Sequence, residues 1–383
     1  VSGYVFKDSI QPDSSGNFTI KIEIEKPLFV QILIPGKANA TLLTEAGMSY
    51  DVNFNLEPDV NSFEILSENK KGQDAYSALP NPGHAQIGAR EFIKDTVASD
   101  IKSKIKTLRD NEIAQFDTLL SSGDISNAFY ELVKLDREVY YATIQGTVAL
   151  IKKYEDIRLN NGLFSPEIKQ MWQESFNEVS PTSIDRMRSP WYFPLAENYI
   201  LYKEYTDDSF DFNRLREIFE NGLRHTHNIE EAKKHLTSTM LEYYTAYYLY
   251  YECLQKQNEK ELISLFENFK NDFPNSEYIR HLEPMIEPIV EFHKKIEEPY
   301  SESVHFIADY DNINSLSESV NSLKGKKVYV DVWATWCGPC KKEFEHKAQL
   351  KELLASKEME ILYISIDDDR NDYTWNEMIN FYN

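Results

Sequence analysis

Cysteine is scarce in this chain: its 383 residues include three cysteines, two of which form a single C-x-x-C pair. A framework of structural disulfides needs more pairs than this count allows. Cys253 lies far from the pair in the aromatic run YYLYYECLQ, where a small, buried and inert thiol is expected. The remaining pair, Cys337 and Cys340, is therefore where disulfide chemistry is expected.

Basic residues and long apolar runs are also scarce. Lys and Arg number 41 against 63 Asp and Glu, for a net charge of −22, which repels nucleic acid and excludes it as an expected partner. No stretch approaches the ~18 consecutive apolar residues of a membrane span, so no span is expected in this chain. Because the first residue is Val1 and not Met, the chain is interpreted as processed or trimmed, and removal of an N-terminal secretion signal or anchor stays open as one of these alternatives.

Packed cores are expected, since 42% of the residues are apolar and 13% aromatic, and the length suits two or three domains. The first part reads as several short strands. Residues 17–25 alternate apolar and charged side chains, and the apolar run Leu28–Ile34 ends at the turn signal Pro35-Gly36. This pattern predicts a small antiparallel β-sandwich domain over residues 1–84.

A helical pattern follows and predicts a central all-α domain over residues 85–299. Ser165-Pro166 reads as an N-cap followed by a proline in the first turn. His225 and His227 fall at the predicted end of a helix and are interpreted as ordinary caps of its dipole. No Ser-His-Asp order, phosphate loop or ligand cluster stands out, so no catalytic site is expected in residues 1–80 or 85–298.

The last part, residues 300–383, predicts an α/β segment. A short strand is expected at residues 304–307. Further along, Val328–Val332 reads as a strand, Cys340–Ser356 as a helix and Glu360–Ile366 as another strand. A strand, a helix and a strand at this spacing form a βαβ unit, so the two longer strands should be parallel.

The C-x-x-C pair gains its reactivity from that placement. Cys337 should begin the helix that follows a strand, where backbone N–H groups and the helix dipole stabilise a thiolate. Cys340, one turn later, is spaced to resolve a mixed disulfide, and Pro339 fits the first turn. Zinc is the rival interpretation of the pair, but it needs four ligands and no second pair has the right spacing. The only redox group expected is therefore the Cys337–Cys340 dithiol, without a metal or another cofactor.

The run VYVDVWATWCGPCKKEF, the later run ILYISIDDD and Trp375 resemble the thioredoxin superfamily, and more closely its TlpA/ResA-like envelope branch. The resemblance covers about the last 80 residues; the front of the chain resembles, more loosely, the β domain and helical spacer preceding such domains. It implies a thioredoxin-like fold and a thiol–disulfide oxidoreductase that reduces or exchanges disulfides of envelope proteins. It also implies a periplasmic or envelope location, protein disulfide substrates and an upstream thiol electron donor.

The resemblance assigns roles to individual residues. Asp331 would accept the proton of Cys340 during resolution, while a strand-end carboxylate partly in water stays open as the alternative. Trp336, Gly338 and Pro339 are the expected substrate-contact residues. Glu345 stands where many family members have proline, which predicts a straighter helix.

No residue matches the family's cis-proline loop, so the redox domain is expected to be incomplete in this chain and to continue past Asn383. A strand supplied by another chain stays open as the alternative. A different class of function also stays open: the β and helical domains would bind a partner, and the redox domain would be auxiliary or inactive. Insulin reduction that depends on Cys337 would favour the enzyme, and partner capture by residues 1–300 alone would favour the binding module.

Overall fold

The structure is a computed structural model, and it describes residues 9–56, 62–66, 68–159, 164–301, 304–313, 315–368 and 372–382. The chain divides into two compact units. The helical unit comprises residues 1–257 and 261–285, and the redox unit comprises residues 258–260 and 286–383. The three domain ranges given above stay predictions.

The N-terminal strands form two hairpins. β1 (Leu28–Ile34) pairs with β2 (Ala38–Thr44), and β3 (Val52–Asn55) pairs with β4 (Ser62–Ile65), both antiparallel. Gly36 makes the first turn with φ +70°, a conformation that glycine adopts without steric cost. The predicted β-sandwich is not confirmed, because the described strands make two separate two-stranded sheets.

The strand predicted at residues 17–25 was wrong. This segment joins no sheet in the part of the chain that the structure describes. Ile20 and Ile22, which the alternation predicted to be buried, are 45% and 50% exposed. Alternation makes a stable strand only where a neighbouring strand supplies hydrogen bonds and a covering core.

The helical prediction for the middle of the chain is confirmed. Ser165 caps its helix, since its Oγ accepts a hydrogen bond from the N–H of Ile168 at 3.4 Å. The helices are α1 (Lys70–Ser77), α2 (Ala85–Ala89), α3 (Ala98–Ser121), α4 (Asn127–Leu159), α5 (Pro166–Glu174), α6 (Tyr192–Tyr205), α7 (Phe212–Glu220), α8 (Arg224–His235), α9 (Ser238–Leu254), α10 (Glu261–Asp272) and α11 (Ile279–Ile296).

His225 and His227 do not cap a helix end, so that interpretation was wrong. α7 ends at Glu220, Gly222 turns the chain with φ +71°, and both histidines lie in the first turn of α8. His225 Nδ1 hydrogen-bonds the Tyr248 hydroxyl at 2.9 Å, which ties α8 to α9.

The helical unit is held by an apolar core that encloses one buried ion pair. Arg137 is fully buried and donates to Asp136, which also accepts from the Tyr76 hydroxyl at 2.9 Å and from Ser189 Oγ at 2.7 Å. Buried charges of this kind persist only when they are paired and hydrogen-bonded. The pairing of Arg137 with Asp136 is therefore explained by the stability of the helical core.

The redox unit contains the predicted pair of parallel strands. β5 (Lys327–Trp333) and β6 (Met359–Ser365) pair in register from Lys327 opposite Met359 to Trp333 opposite Ser365. The helices of this part are α12 (Leu316–Asn321), α13 (Gly338–Glu343), α14 (Lys347–Ser356) and α15 (Asp372–Tyr382).

Residues 304–307 are not a strand, contrary to the prediction. Phe306 instead packs its ring against Tyr300 at 5.3 Å, Tyr310 at 5.7 Å and Trp375 of α15 at 6.0 Å. This segment therefore packs its aromatic ring against α15 and does not pair with a strand. None of the described helices is long and apolar enough to cross a membrane.

Candidate active site

The cysteine pair lies where strand β5 gives way to helix α13. Cys337 is the N-cap of that helix and is joined to Cys340 by a disulfide. The Cys340 N–H points at the Cys337 Sγ at 3.3 Å, and the Cys337 N–H donates to the carbonyl of Ala334 at 3.0 Å. Pro339 occupies the first turn, where its missing N–H removes no helical bond.

The local charge at this N-terminus favours a thiolate. The first turn of α13 carries no acidic residue, and Lys341 and Lys342 follow in the same short helix. A thiol at a helix N-terminus has its charged form stabilised by the N–H groups and the dipole. The prediction that Cys337 is the more reactive sulfur of the reduced protein is consistent with this placement.

The helix after the cysteines is broken, so the predicted straighter helix was wrong. α13 ends at Glu343, a 3₁₀ turn covers Phe344–His346, and α14 begins at Lys347. The Phe344 ring packs against three aromatic rings at this break, at 4.7–5.9 Å; they belong to Trp333, Tyr363 and Tyr382. The partly buried ring lies at the interruption, directly before Glu345, a residue type that by itself favours a helix.

Asp331 lies in β5, two residues before the buried Trp333. It is half-buried, shares a strand face with Trp333 and stands opposite Tyr363 on β6. Burial raises the pKa of its carboxyl, and the negative charge of Glu343 raises it further. Glu343 lies in α13, three residues after Cys340, so the charge that acts on Asp331 comes from the helix of the cysteines.

The three expected substrate-contact residues are accessible. Trp336 is 65% exposed, and Gly338 and Pro339 are also exposed. An exposed tryptophan beside a redox disulfide can meet a protein substrate directly. That contact, and the role of Asp331, stay predictions.

One residue at the site, Asp367, was missed by the sequence reasoning. Its carboxylate accepts hydrogen bonds from Thr335, two residues before Cys337. The only sequence signal was the acidic run that ends ILYISIDDD, and nothing in it singles out the first aspartate.

A mixed histidine and carboxylate cluster occurs elsewhere, in the helical unit. Glu204, His227 and Glu231 each offer an atom within 4.8 Å of the others. His227 Nε2 pairs with Glu204 at 2.7 Å, and Glu231 pairs with Lys234. These contacts satisfy the polar groups from within the protein, so the cluster gives no ground for assigning a metal.

Sequence comparison finds similar known proteins for the segment that contains the cysteine pair. The redoxin family matches residues 308–381. The thiol-disulfide oxidoreductase ResA of Bacillus subtilis (strain 168) is 31% identical over 70 residues, which are 18% of this chain and 38% of the relative. ResA of Bacillus thuringiensis (strain Al Hakam) is 36% identical over 63 residues, 16% of this chain and 35% of the relative. ResA of Oceanobacillus iheyensis is 33% identical over 57 residues, 15% of this chain and 30% of the relative.

The similarity is confined to the C-terminal segment, and the chain spans less than two fifths of the length of these relatives. No solved structure is significantly similar to the chain. The C-terminal segment matches the redoxin family and is similar to ResA, which confirms the predicted resemblance to the thioredoxin superfamily in this part of the chain.

Proposed function

We propose that this chain is a thiol–disulfide oxidoreductase that reduces or exchanges disulfides of protein substrates through Cys337 and Cys340. The observation that carries the proposal is the position of the pair: the two cysteines are joined by a disulfide, with Cys337 as the N-cap of α13. The similarity to ResA over the same segment supports it.

The proposed cycle starts from the dithiol. The Cys337 thiolate attacks one sulfur of a substrate disulfide, a mixed disulfide forms, and the other substrate sulfur leaves as a thiolate that takes up a proton. Cys340 then attacks the Cys337 sulfur. The mixed disulfide breaks, the second substrate thiol leaves, and two electrons have passed from the protein to the substrate. An upstream dithiol donor returns the pair to the reduced state.

Asp331 would act as the base for the second step. Burial and the charge of Glu343 in α13 raise the pKa of Asp331, which makes its carboxylate a better proton acceptor than an ordinary surface aspartate. The proton of Cys340 would pass to it as Cys340 attacks. The substrate would be held by Trp336, Gly338 and Pro339.

The substrates are proposed to be envelope proteins, in the periplasm or at the cell envelope. Disulfides persist in oxidising compartments outside the cytoplasm, so a reductant of disulfides has its targets there. The resemblance of the redox segment to the TlpA/ResA-like branch points to the same compartment. A CGPC pair in this family favours reduction over oxidation.

The test is insulin reduction with three variants. Wild type should precipitate the insulin B chain, and Cys337→Ser should abolish this activity. Cys340→Ser should trap a mixed disulfide with the substrate, which non-reducing electrophoresis detects. Cys253→Ala is the matched control, because Cys253 is buried in α9 and outside the redox pair, and its activity should equal that of wild type.

Two outcomes would contradict the proposal. Wild type without Cys337-dependent activity would remove the enzyme function and favour the binding module. Trapping by Cys337→Ser instead of Cys340→Ser would reverse the roles of the two sulfurs.

A further inference from the structure

The strand β6 ends in a carboxylate that binds the loop in front of the cysteines. Asp367 Oδ1 accepts from Thr335 Oγ at 2.7 Å and from the Thr335 N–H at 3.1 Å. Asp367 Oδ2 accepts from the same N–H at 2.9 Å and from Ser365 Oγ at 2.6 Å. Ser365 Oγ also accepts from the Asp367 N–H at 3.1 Å. Thr335 is 6% exposed and Asp367 is half-buried, so these bonds are partly shielded from water.

These bonds reach the reactive cysteine through a short stretch of backbone. Thr335 is two residues before Cys337, whose own N–H bonds back to the carbonyl of Ala334 at 3.0 Å. On the other strand, the Ile366 N–H donates to the carbonyl of Trp333 at 3.0 Å. Two sets of hydrogen bonds thus join the loop between β5 and α13 to the end of β6: one at Trp333 and one at Thr335.

We propose that Asp367 is a positioning residue for the redox pair: it anchors Thr335 and thereby holds the Cys337 sulfur within reach of the Cys340 N–H in α13. This inference rests on the proposed function. It adds a residue from the second strand, outside the C-x-x-C run, to the machinery of thiol exchange.

The strength of the anchor follows from its chemistry. A carboxylate that accepts several hydrogen bonds in a partly buried place binds more firmly than neutral groups do. Reactivity at a thiolate depends on small displacements, since a shift of ~1 Å can cost about 100-fold in rate. The Cys340 N–H is 3.3 Å from the Cys337 sulfur, so a looser loop would weaken that contact first.

A rival explanation is purely electrostatic. The negative charge of Asp367 would oppose a nearby thiolate and raise the pKa of Cys337. The two explanations predict opposite signs when the carboxylate is removed. Loss of positioning raises the pKa of the Cys337 thiol, and loss of a repelling charge lowers it.

The experiment measures alkylation of the reduced full chain by iodoacetamide as a function of pH, with mass spectrometry to assign the reaction to Cys337. Insulin reduction is measured in parallel. The variants are Asp367→Ala, Asp367→Asn, Thr335→Val and Thr335→Ser. Asp368→Ala, at the exposed next position, is the matched control. Thermal unfolding of every variant separates loss of fold from loss of position.

Asp367→Ala should raise the pKa of Cys337 and slow both alkylation at pH 7 and insulin reduction by about 10-fold or more. Asp367→Asn keeps an oxygen for Thr335 and an N–H for Ser365, so it should stay within about 3-fold of wild type. Thr335→Val loses the hydroxyl bond and should be slowed in the same direction as Asp367→Ala, whereas Thr335→Ser and Asp368→Ala should match wild type.

The inference is overturned if Asp367→Ala lowers the pKa of Cys337, or if Asp367→Asn and Asp367→Ala behave alike while Thr335→Val matches wild type. It is also overturned if the variants melt earlier but keep wild-type alkylation and exchange rates at 25 °C. Should Asp367→Ala fail to fold, Thr335→Val decides between the same outcomes. Failure of the proposed function is distinguishable, because wild type would then not reduce insulin while the alkylation series would still report on Asp367.

Discussion

Asp331 is the residue whose chemistry depends most directly on pH. Its carboxylate can accept a proton only when it is ionised, and burial together with Glu343 raises its pKa. We therefore expect resolution of the mixed disulfide to accelerate as pH rises through that raised pKa. Asp331→Asn should slow resolution by about 100-fold, the lower range for loss of a general base, and should remove this pH dependence. Stopped-flow fluorescence should show initial attack by Cys337 unchanged.

Glu343→Gln is the control for this assignment. It removes the charge that adds to the effect of burial on the pKa of Asp331, so the pH profile of resolution should move to lower pH and the plateau rate should fall, because the carboxylate becomes a weaker base. The sign for stability follows from the same shift. Because the folded protein holds the Asp331 proton more tightly than the unfolded chain, this residue's contribution to stability falls as pH rises from the ordinary aspartate pKa to the raised one. Equal slowing of attack and resolution in Asp331→Asn would contradict the proposed role.

Gly72 tests packing at the residue scale. A Cβ added there would meet Ile125 and would lie 2.7 Å from a ring carbon of Phe129. Gly72→Ala should lower the free energy of unfolding by about 1–3 kcal/mol, because overpacking exceeds the ~1 kcal/mol that alanine gains in a helix. Gly83→Ala is the control, since nothing lies within 4 Å of its added Cβ. Urea unfolding that shows equal stability for the two variants would contradict the prediction.

The sequence predicted the positions of residues that depend on nearby residues in the chain. It did not predict positions that depend on contacts between residues far apart in the chain. Cys337 lies at the start of its helix as predicted, since a strand, a turn and a Pro339 in the first turn are local signals. The bond between Asp367 and Thr335 joins residues 32 positions apart and depends on the parallel register of β5 and β6. No local pattern encodes such a pairing.

At the scale of elements, the broken redox helix shows why local propensity is not enough. The sequence has no proline at position 345, yet a 3₁₀ turn occurs there, where the Phe344 ring packs against three other aromatic rings. The prediction for residues 17–25 was wrong for a different reason. The alternation of side chains is typical of a strand, but no described strand pairs with this segment. β1, in contrast, was predicted with its observed bounds, because Pro35-Gly36 turns it directly onto β2.

The interruption between α13 and α14 predicts that proline destabilises the fold to different extents at two exposed glutamates. Glu352→Pro, inside α14, removes a helical hydrogen bond and should lower the free energy of unfolding by about 3 kcal/mol. Glu345→Pro lies in the 3₁₀ turn, where the regular helix is already interrupted, and should cost less than about 1 kcal/mol. Urea unfolding followed by circular dichroism measures both. Equal costs would mean that residues 338–356 behave as one continuous helix in solution.

At the scale of the whole molecule, each of the two units has a core of its own. In the helical unit, Phe129 is fully buried and lies 6.5 Å from Phe116, centroid to centroid. In the redox unit, Trp333, Leu354 and Leu362 are buried, and Asn380 of α15 donates to the carbonyl of Ile296 at 2.7 Å. The last contact explains why the end of α11 belongs to the redox unit and not to the helices before it.

Separate cores predict that the full chain unfolds in two transitions, each sensitive to its own perturbation. Reducing the Cys337–Cys340 disulfide should lower the stability of the redox unit by about 2 kcal/mol, as chain entropy predicts for a very short loop, and leave the helical unit unchanged. Phe129→Ala should do the reverse and cost the helical unit about 3–5 kcal/mol. Hydrogen exchange at increasing urea, read by mass spectrometry, reports on the two units through peptides from α4 and from β5 and β6. If both perturbations moved both sets of peptides together, the chain would be a single cooperative unit, and a redox change at Cys337 could then reach the helices through stability alone.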